Sequence, residues 1–144
     1  MIDGVELLTL APDSAWTASL TDPNLASTIV MVTFGRVRVL LTGDAEAAEE
    51  QWLLSRGVSL EADVLKVAHH GSYSASSPAF LDKVAPAFAV ISCGADNPYG
   101  HPHKETIDNL NARGIKIYRT DLNGTIMILS NGTKLTASID KGKE

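Results

Sequence analysis

The residues of this chain that are best suited to chemistry stand in three short clusters, each just beyond an apolar run. These clusters are Thr42-Gly43-Asp44, His69-His70-Gly71-Ser72 and Gly100-His101-Pro102-His103. The last two contain all 4 histidines of the chain. Imidazole and carboxylate groups are common zinc ligands, and the ends of strands gather along one edge of a sheet with helical crossovers. If the clusters converge there, they predict a metal-dependent hydrolase.

Two of the clusters offer metal ligands, and each also has a simpler explanation. Asp44 could reach a cation, or it could cap the helix predicted directly after it. In the pair His69-His70, one imidazole could ligate a metal while the other supports it. Alternatively, one is a core histidine and the other lies on the surface. The sequence leaves both alternatives open.

The remaining candidates face the substrate. Ser72 offers a hydroxyl to an anionic oxygen, and Gly71 lets backbone or substrate approach closely. His101 and His103 stand just before a predicted helix, where a histidine could bind phosphate or donate a proton to a leaving group. The alternative is a rigid turn with His103 simply solvated.

Several other classes of chemistry are disfavoured. The chain has no Gly-x-Ser-x-Gly elbow, no phosphate loop ending in Lys-Ser/Thr and no Gly-x-Gly-x-x-Gly fingerprint. Cys93 is the only cysteine, which excludes an internal disulfide and a cysteine-based zinc site. A net charge of −5 argues against gripping nucleic acid by charge alone. It does not exclude a metal-assisted phosphodiesterase, because bound cations would dominate the local field.

The elements that must position these clusters are those of one α/β domain spanning residues 1–144. Strands are predicted at 5–10, 27–34, 37–41, 63–68, 88–92, 115–119, 125–129 and 134–139. Helices are predicted at 45–56, from Ser77-Pro78 to Pro86, and at 102–113, with Ala48, Trp52 and Leu53 as the inward face of the first. Residues 13–26 are predicted to form a long polar loop and 141–144 a frayed tail. Hairpins at Gly35-Arg36, Asn123-Gly124 and Asn131-Gly132 complete a mixed β-sheet flanked by helices.

Hydropathy predicts a soluble segment. Apolar residues make up 44% of the 144 residues, enough for a core. The longest apolar stretches suit strands and are far too short for a membrane span. No signal peptide is expected at the start of the chain.

Taken in order, three segments closely resemble one family. Residues 40–44, 63–72 and 97–103 resemble the metallo-β-lactamase-fold domain at the C-terminus of ComEC-type DNA-uptake (competence) proteins. Asn24, Ser27, residues 118–121 and Gly124 look similar too, so the resemblance covers nearly the whole chain. It implies a four-layer αββα sandwich of two similar halves that holds one or two zinc or manganese ions. By the same resemblance, Asp44 looks like the carboxylate that bridges two metals and His70 like the last metal ligand, with His69 as the neighbouring candidate.

The chain lacks the part of the family's sequence pattern that carries most of the metal ligands. The motif His-x-His-x-Asp-His of the first half is absent, and no histidine precedes His69. We therefore interpret the chain as the C-terminal half of the domain, without the N-terminal half that carries this motif. Two ligands are too few for a catalytic zinc site with three protein ligands. Zinc or manganese is thus expected in the intact parent, whereas this chain alone need hold none.

The expected function is a portion of a metal-dependent hydrolase that processes DNA phosphodiesters during uptake and is inactive as an isolated fragment. The expected partners are DNA and either the missing N-terminal half or a second copy in a homodimer, with no membrane contact from this segment. The resemblance implies a membrane-anchored parent with this domain outside the cytoplasm. The alternatives are a non-catalytic folding or interaction module, and a small-molecule metallo-hydrolase unrelated to DNA.

Overall fold

The structure is a computed structural model that describes residues 3–20 and 26–140. Its strands are β1 Val5–Ala11, β2 Ile29–Phe34, β3 Val37–Leu41, β4 Val64–Lys66, β5 Phe88–Ile91, β6 Lys116–Arg119, β7 Thr125–Ser130 and β8 Leu135–Asp140. Its helices are α1 Ser14–Ser19, α2 Ala47–Ser55, α3 Pro78–Val84, α4 Lys104–Asn111 and α5 Thr120–Asn123, and a 3₁₀ turn covers Ala68–Gly71.

Strands β1 to β6 form one mixed sheet in sequence order. The first three strands are antiparallel, and β3, β4, β5 and β6 run parallel. Leu41 is in register with Lys66, and Lys66 with Val90, so β3, β4 and β5 end side by side. The prediction of an α/β chain with a mixed sheet flanked by helices is confirmed.

The core lies between one face of this sheet and the helices. Alternate residues of the strands point to this face, as the twofold period of a strand requires. They pack with the apolar sides of α2, α3 and α4 in a buried cluster that includes Met31, Leu40, Leu65, Ala89, Leu53, Phe80, Leu81 and Leu110. Burying a side chain of this size stabilises the fold by roughly 1.5–3 kcal/mol, which is why the helices hold this face.

The opposite face of the sheet is only partly covered. Here the alternate positions, such as Val32, Val39 and Val90, are half-buried. The β7–β8 hairpin lies over part of this face and leaves an apolar cavity of about 300 Å³ beneath it. At its turn, the Arg36 N–H donates to the Gly132 carbonyl at 2.7 Å. Gly35 has φ +59°, and a Cβ there would overlap Gly132. The β2–β3 turn and the β7–β8 turn can therefore touch only because position 35 is glycine.

The predicted loop at 13–26 is wrong in its first part, because α1 forms there. The Asp13 carboxylate accepts from the Trp16 N–H at 2.7 Å, a helix N-cap. The Trp16 ring lies 5.3 Å from the Trp52 ring of α2. Residues 21–25 and the predicted tail at 141–144 lie outside the described residues.

The start and the inward face of α2 also differ from the prediction. The helix begins at Ala47 with Glu46 in the N-cap position, so Asp44 does not cap it. Ala48 is exposed, whereas Glu49 and Glu50 are buried. The Glu50 carboxylate accepts from the backbone N–H groups just before α3, at Ser76 (2.5 Å) and Ser77 (2.9 Å), and this stabilises an acidic residue inside.

The predicted hairpin between residues 115–119 and 125–129 does not form. Helix α5 intervenes, and β7 pairs with β8 in a separate two-stranded sheet. The cause is non-local: the Thr120 hydroxyl accepts from the Cys93 N–H at 2.9 Å and donates to the Cys93 carbonyl at 2.7 Å. This contact ties the end of β6 to the end of β5.

Candidate functional site

The three clusters converge at the edge where β3, β4 and β5 end. The nearest pair joins the first two clusters: Asp44 Oδ1 lies 3.7 Å from His70 Nε2. Both side chains are about half exposed, at 57% and 48%. Neither is a core residue, and the N-cap alternative for Asp44 does not hold. The pair faces solvent at the open edge of the sheet.

His70 is held in one orientation. Its Nδ1 lies 2.7 Å from the Ser92 carbonyl oxygen at the end of β5. Because a carbonyl can only accept, Nδ1 carries the proton, and in the neutral ring the lone pair is on Nε2, next to Asp44. A backbone carbonyl on the second nitrogen is the usual support of a metal-binding histidine.

An unusual backbone turn brings both histidines to this edge. His69 has φ 47° and ψ 44°, and His70 has φ 54° and ψ 20°, so both adopt the left-handed conformation. Residues other than glycine seldom do so, and each costs about 1–2 kcal/mol. An extended strand would point adjacent side chains to opposite faces. The turn instead places the two rings 6.5 Å apart on one side.

Gly71 joins the second cluster to the third. It has φ +84°, and a Cβ there would lie 2.5 Å from the Pro102 Cβ. The His103 N–H donates to the Gly71 carbonyl at 2.9 Å. Only glycine permits this approach, which brings segments 31 positions apart into contact.

His69 lies over a polar chain that leads into the protein. Its Nδ1 is 3.2 Å from Glu46 Oε1, without the alignment of a hydrogen bond. The same carboxylate oxygen accepts from the Ser74 hydroxyl at 3.3 Å, which is 3.0 Å from the Ser72 hydroxyl. Ser72 is buried. Its substrate-side role stays a prediction, and the structure places its hydroxyl beneath the histidines.

His101 and His103 complete the cluster. The His101 ring lies 5.7 Å from the His69 ring, 6.3 Å from His70 and 4.8 Å from His103. Asn97 fixes this loop, accepting from the His101 N–H at 3.0 Å and donating to its carbonyl at 2.6 Å. Burial lowers the pKa of His101, and the neighbouring histidines lower it further, which favours the neutral ring.

His103 is not simply solvated. It occupies the N-cap position of α4, and its Nδ1 accepts from the Tyr73 N–H at 3.2 Å. Its proton in the neutral ring is therefore on Nε2. The rigid-turn alternative is correct for the loop backbone, but His103 itself is fixed beside the other rings.

Sequence reasoning missed several residues at this edge. Lys66 ends β4, and its Nζ is 3.4 Å from the Gly43 carbonyl. Burial lowers the pKa of this ammonium, and Asp44 raises it by a smaller amount. A lysine inside an apolar strand was the available signal. No comparable feature of the sequence pointed to Glu46, Tyr73 or Tyr99, because exposed helix ends and loops commonly hold such residues.

Asp44 and His70 fit a metal as two donors of a larger site. Zinc lies about 2.0–2.2 Å from imidazole nitrogen and carboxylate oxygen, so two such atoms 3.7 Å apart can share one ion. Within residues 3–20 and 26–140, no group of three or more His, Cys, Asp or Glu side chains is arranged to hold a metal. The pair is therefore chemically suitable but incomplete.

A second polar cluster lies at the ends of β5 and β6. The Asp121 carboxylate accepts from Arg119 through Nη2 at 2.5 Å and Nε at 3.1 Å, and from the Cys93 thiol at 3.2 Å. The Arg119 hydrogen bonds lower the pKa of Asp121. Burial raises the pKa of the Cys93 thiol, and Asp121 raises it further. Both effects favour the protonated thiol, which is less nucleophilic than the thiolate.

Comparison with known proteins agrees with this geometry. Residues 18–95 match the metallo-beta-lactamase superfamily. Competence protein ComA of Neisseria gonorrhoeae is 38% identical over 125 residues, which are 86% of this chain and 18% of that protein. ComE operon protein 3 of Bacillus subtilis is 36% identical over 87% of this chain and 16% of that protein. Recombination protein 2 of Haemophilus influenzae is 34% identical over 87% of this chain and 15% of that protein.

These relatives are much longer than this chain, which spans less than a fifth of their length. Among the described residues, no helix has both the length and the apolar character needed to cross a membrane. The resemblance to ComEC-type competence proteins is confirmed by the matches. With more than half of its residues matched and its sheet, helices and strand-end cluster in place, the chain belongs to the metallo-beta-lactamase superfamily.

Proposed function

We propose that this chain is the portion of a metal-dependent hydrolase that carries one wall of its active site, and that the parent cleaves DNA phosphodiester bonds during competence. The observation that carries the proposal is the Asp44–His70 pair, 3.7 Å apart, with His70 Nδ1 fixed by Ser92. The competence names of the relatives support DNA as the substrate class of this proposal.

In this proposal Asp44 and His70 hold zinc or manganese, which supplies a Lewis acid and an activated water when bound. The protein's own groups do the positioning. The Glu46 carboxylate lies 3.2 Å from His69 Nδ1, and Asn97 fixes the loop of His101. The Nε2–H of His103 is available to a phosphate oxygen.

The remaining metal donors would come from an N-terminal half that packs on the half-covered face of the sheet. Leu41 and Leu7 lie on this face with exposures of 40% and 63%. Two sheets packed face to face would bury them, as in a sandwich. In this proposal the isolated chain is catalytically inactive and the parent, anchored in the membrane, is active outside the cytoplasm.

The same face favours a second candidate, a non-catalytic interaction module. A second copy of the chain could cover the exposed apolar residues and form a homodimer. Sedimentation analysis of the isolated chain separates the two candidates. A tight dimer without metal favours the module, and a monomer that gains metal only with an N-terminal half favours the hydrolase.

The decisive test measures metal content and DNA cleavage in the parent, with Asp44→Ala, His70→Ala and the remote, exposed control Glu61→Ala. We expect near-stoichiometric zinc or manganese in the parent, loss of metal and of cleavage in the first two variants, and neither loss in the control. Full cleavage by both site variants would disprove the assignment.

A further inference from the structure

Two exposed tyrosines stand at the ends of the histidine cluster. Tyr99 and Tyr73 are 74% and 71% exposed, more than any other large hydrophobic side chain in the described residues. The Tyr99 ring is 5.8 Å from the His101 ring at an interplanar angle of 25°. The Tyr73 ring is 5.0 Å from His103 at 65°. With the 4.8 Å contact between the two histidines, four rings form a continuous strip.

Exposed rings at such positions need an explanation, since burying them would stabilise the fold. Tyr99 and Tyr73 lie on different loops, yet both rings belong to the same strip. The His101 ring of this strip lies 6.3 Å from the ring of His70, which pairs with Asp44. The backbone of each loop is fixed, by Asn97 on one side and by the Tyr73 N–H to His103 contact on the other. Both rings thus lie on segments held by hydrogen bonds, and both are mostly exposed.

We infer that this aromatic strip binds unpaired nucleotides, with one base stacked on Tyr99 and another on Tyr73, and with the intervening phosphates over His101 and His103. In a duplex each base already has both faces covered by its neighbours, so only single-stranded or unpaired segments can stack on protein rings. The inference rests on the proposed function, because it takes nucleic acid as the substrate.

The small size of a cavity beside Tyr99 favours a polymeric ligand over a small metabolite. It has a volume of about 190 Å³ and is lined by His70, Cys93, Gly94, Asn97, Tyr99 and His101. Sites for whole small molecules usually have volumes of about 300–1,000 Å³. This space suits a single ring, so most of the ligand would lie outside it along the strip.

Charge points to stacking as the main source of affinity. The chain carries a net charge of −5, and the strip itself consists of two phenol and two imidazole rings. His103 Nε2–H lies in the strip, and the exposed Lys104 follows it in the chain, with its Nζ 2.5 Å from Asp108 Oδ2. With so few phosphate contacts, we expect binding to weaken less than about tenfold between 50 and 200 mM salt, against a thousandfold or more for strongly cationic binders.

The test is fluorescence anisotropy of the intact chain with labelled oligothymidylate in EDTA, so that no metal-dependent cleavage contributes. Tyr99→Ala and Tyr73→Ala should each weaken binding about tenfold, as expected for the loss of one stacked base. Tyr99→Phe and Tyr73→Phe should bind like the wild type, because the ring remains. Met127→Ala, an exposed apolar residue of β7, is the matched control and should change nothing.

Three outcomes would overturn the inference: unchanged binding in both alanine variants, equal binding of a matched duplex, or no binding of the oligonucleotide at all. Competition by thymidine monophosphate as strong as by the oligonucleotide would also overturn it, in favour of a mononucleotide site. Because EDTA removes the metal, tyrosine-dependent binding without any cleavage in the parent would defeat the proposed hydrolysis and leave this inference intact.

Discussion

The chain carries two polar clusters along one edge of its sheet, and they differ in how far their hydrogen bonds are satisfied. Around Asp121, the guanidinium of Arg119 and the thiol of Cys93 both donate to a carboxylate that is only 10% exposed. Around Asp44, the carboxylate is 57% exposed, and its Oδ1 lies 3.7 Å from His70 Nε2. Buried polar groups that are fully paired stabilise a fold, whereas unpaired groups held at an open edge are available to a ligand. The comparison therefore separates a structural cluster from a candidate site.

The largest expected effect tests this separation directly. His70→Ala should lower metal-dependent hydrolysis by the parent at least about a hundredfold, because loss of a metal ligand exceeds the 10–100-fold cost of losing its supporting partner. Cys93→Ala should leave hydrolysis nearly unchanged. Cleavage assays with saturating metal measure both, and circular dichroism checks that both variants are folded. If Cys93→Ala were as inactive as His70→Ala, the cluster around Asp121 could not be called structural in contrast to the site around Asp44.

Gly71→Ala should reduce the free energy of unfolding by about 2–3 kcal/mol, because the new Cβ meets Pro102 at 2.5 Å and the backbone has φ +84°. Gly57→Ala is the matched control: Gly57 has φ +63°, but no atom lies within 4 Å of the place that a Cβ would take, so only the backbone strain of about 1 kcal/mol applies. Urea denaturation measures the two values. Equal losses would mean that the contact with Pro102 is not tight.

Asp121→Ala should cost about 2 kcal/mol, because it leaves the Arg119 guanidinium and the Cys93 thiol without their acceptor. The control is Asp82→Ala, whose pair with Arg113 is 66% exposed on the aspartate side and is worth well under about 1 kcal/mol. Because the folded pKa of Asp121 is lowered, its stabilisation is present above the ordinary aspartate pKa and is lost as the pH falls through the folded value. Denaturation at pH 7 and pH 3 should show the difference between the variants shrinking in acid.

The two buried carboxylates of α2, Glu49 and Glu50, also differ in how far their hydrogen bonds are satisfied. Glu50 accepts hydrogen bonds from two amides, whereas within the described residues no hydrogen bond of normal geometry reaches the Glu49 oxygens. The backbone of Ser27 and Glu46 is close enough to lower the pKa of Glu49, but by a smaller amount than burial raises it. Burial raises the pKa of Glu49 to about 7, so its protonated form favours the fold. That contribution is full below the ordinary pKa of 4.5 and is lost as the pH rises through about 7.

Glu49→Gln should therefore raise stability at pH 8 by about 1–3 kcal/mol, with little effect at pH 4.5. Glu61→Gln, at an exposed position, should have no effect at either pH. Thermal unfolding across this range measures both variants. A stability of the wild type that does not fall between pH 5 and pH 8 would contradict the role given to Glu49.

The smallest expected effect concerns the strained turn. His69→Asn should raise the free energy of unfolding by about 0.5 kcal/mol, because asparagine tolerates the left-handed conformation better than histidine. Asp96→Asn, exposed and also left-handed, should change little, since both residue types tolerate it. Chemical denaturation resolves this difference. A loss of stability in His69→Asn would show that the contact with Glu46 outweighs the strain.

The sequence predicted the sheet well, because apolar runs and glycine turns are local signals. It also placed the clusters of Asp44 and His70 on one edge, since parallel strand ends must meet. What it could not provide were features set by distant contacts. Helix α1 depends on Trp16 packing against Trp52, and α5 depends on Thr120 bonding to Cys93.

The details of the site were beyond the sequence for the same reason. Nothing local in His69-His70 indicates a left-handed turn, and the next residue, Gly71, approaches Pro102 from a distant part of the chain. Nor does an acidic helix start reveal that Glu46 faces His69 while Glu49 and Glu50 turn inward. Charged residues in a first turn usually predict exposure, and here the Ser76 and Ser77 amides reverse that expectation for Glu50.

The contact between Gly71 and Pro102 also has an evolutionary consequence. Each residue occupies the space that a larger partner would need, so neither position is free to drift alone. Across homologous sequences, a side chain at position 71 should coincide with a change at position 102 and a rebuilt loop between residues 97 and 103. Positions 71 and 102 should therefore change together among homologous sequences, although 30 residues separate them in the chain.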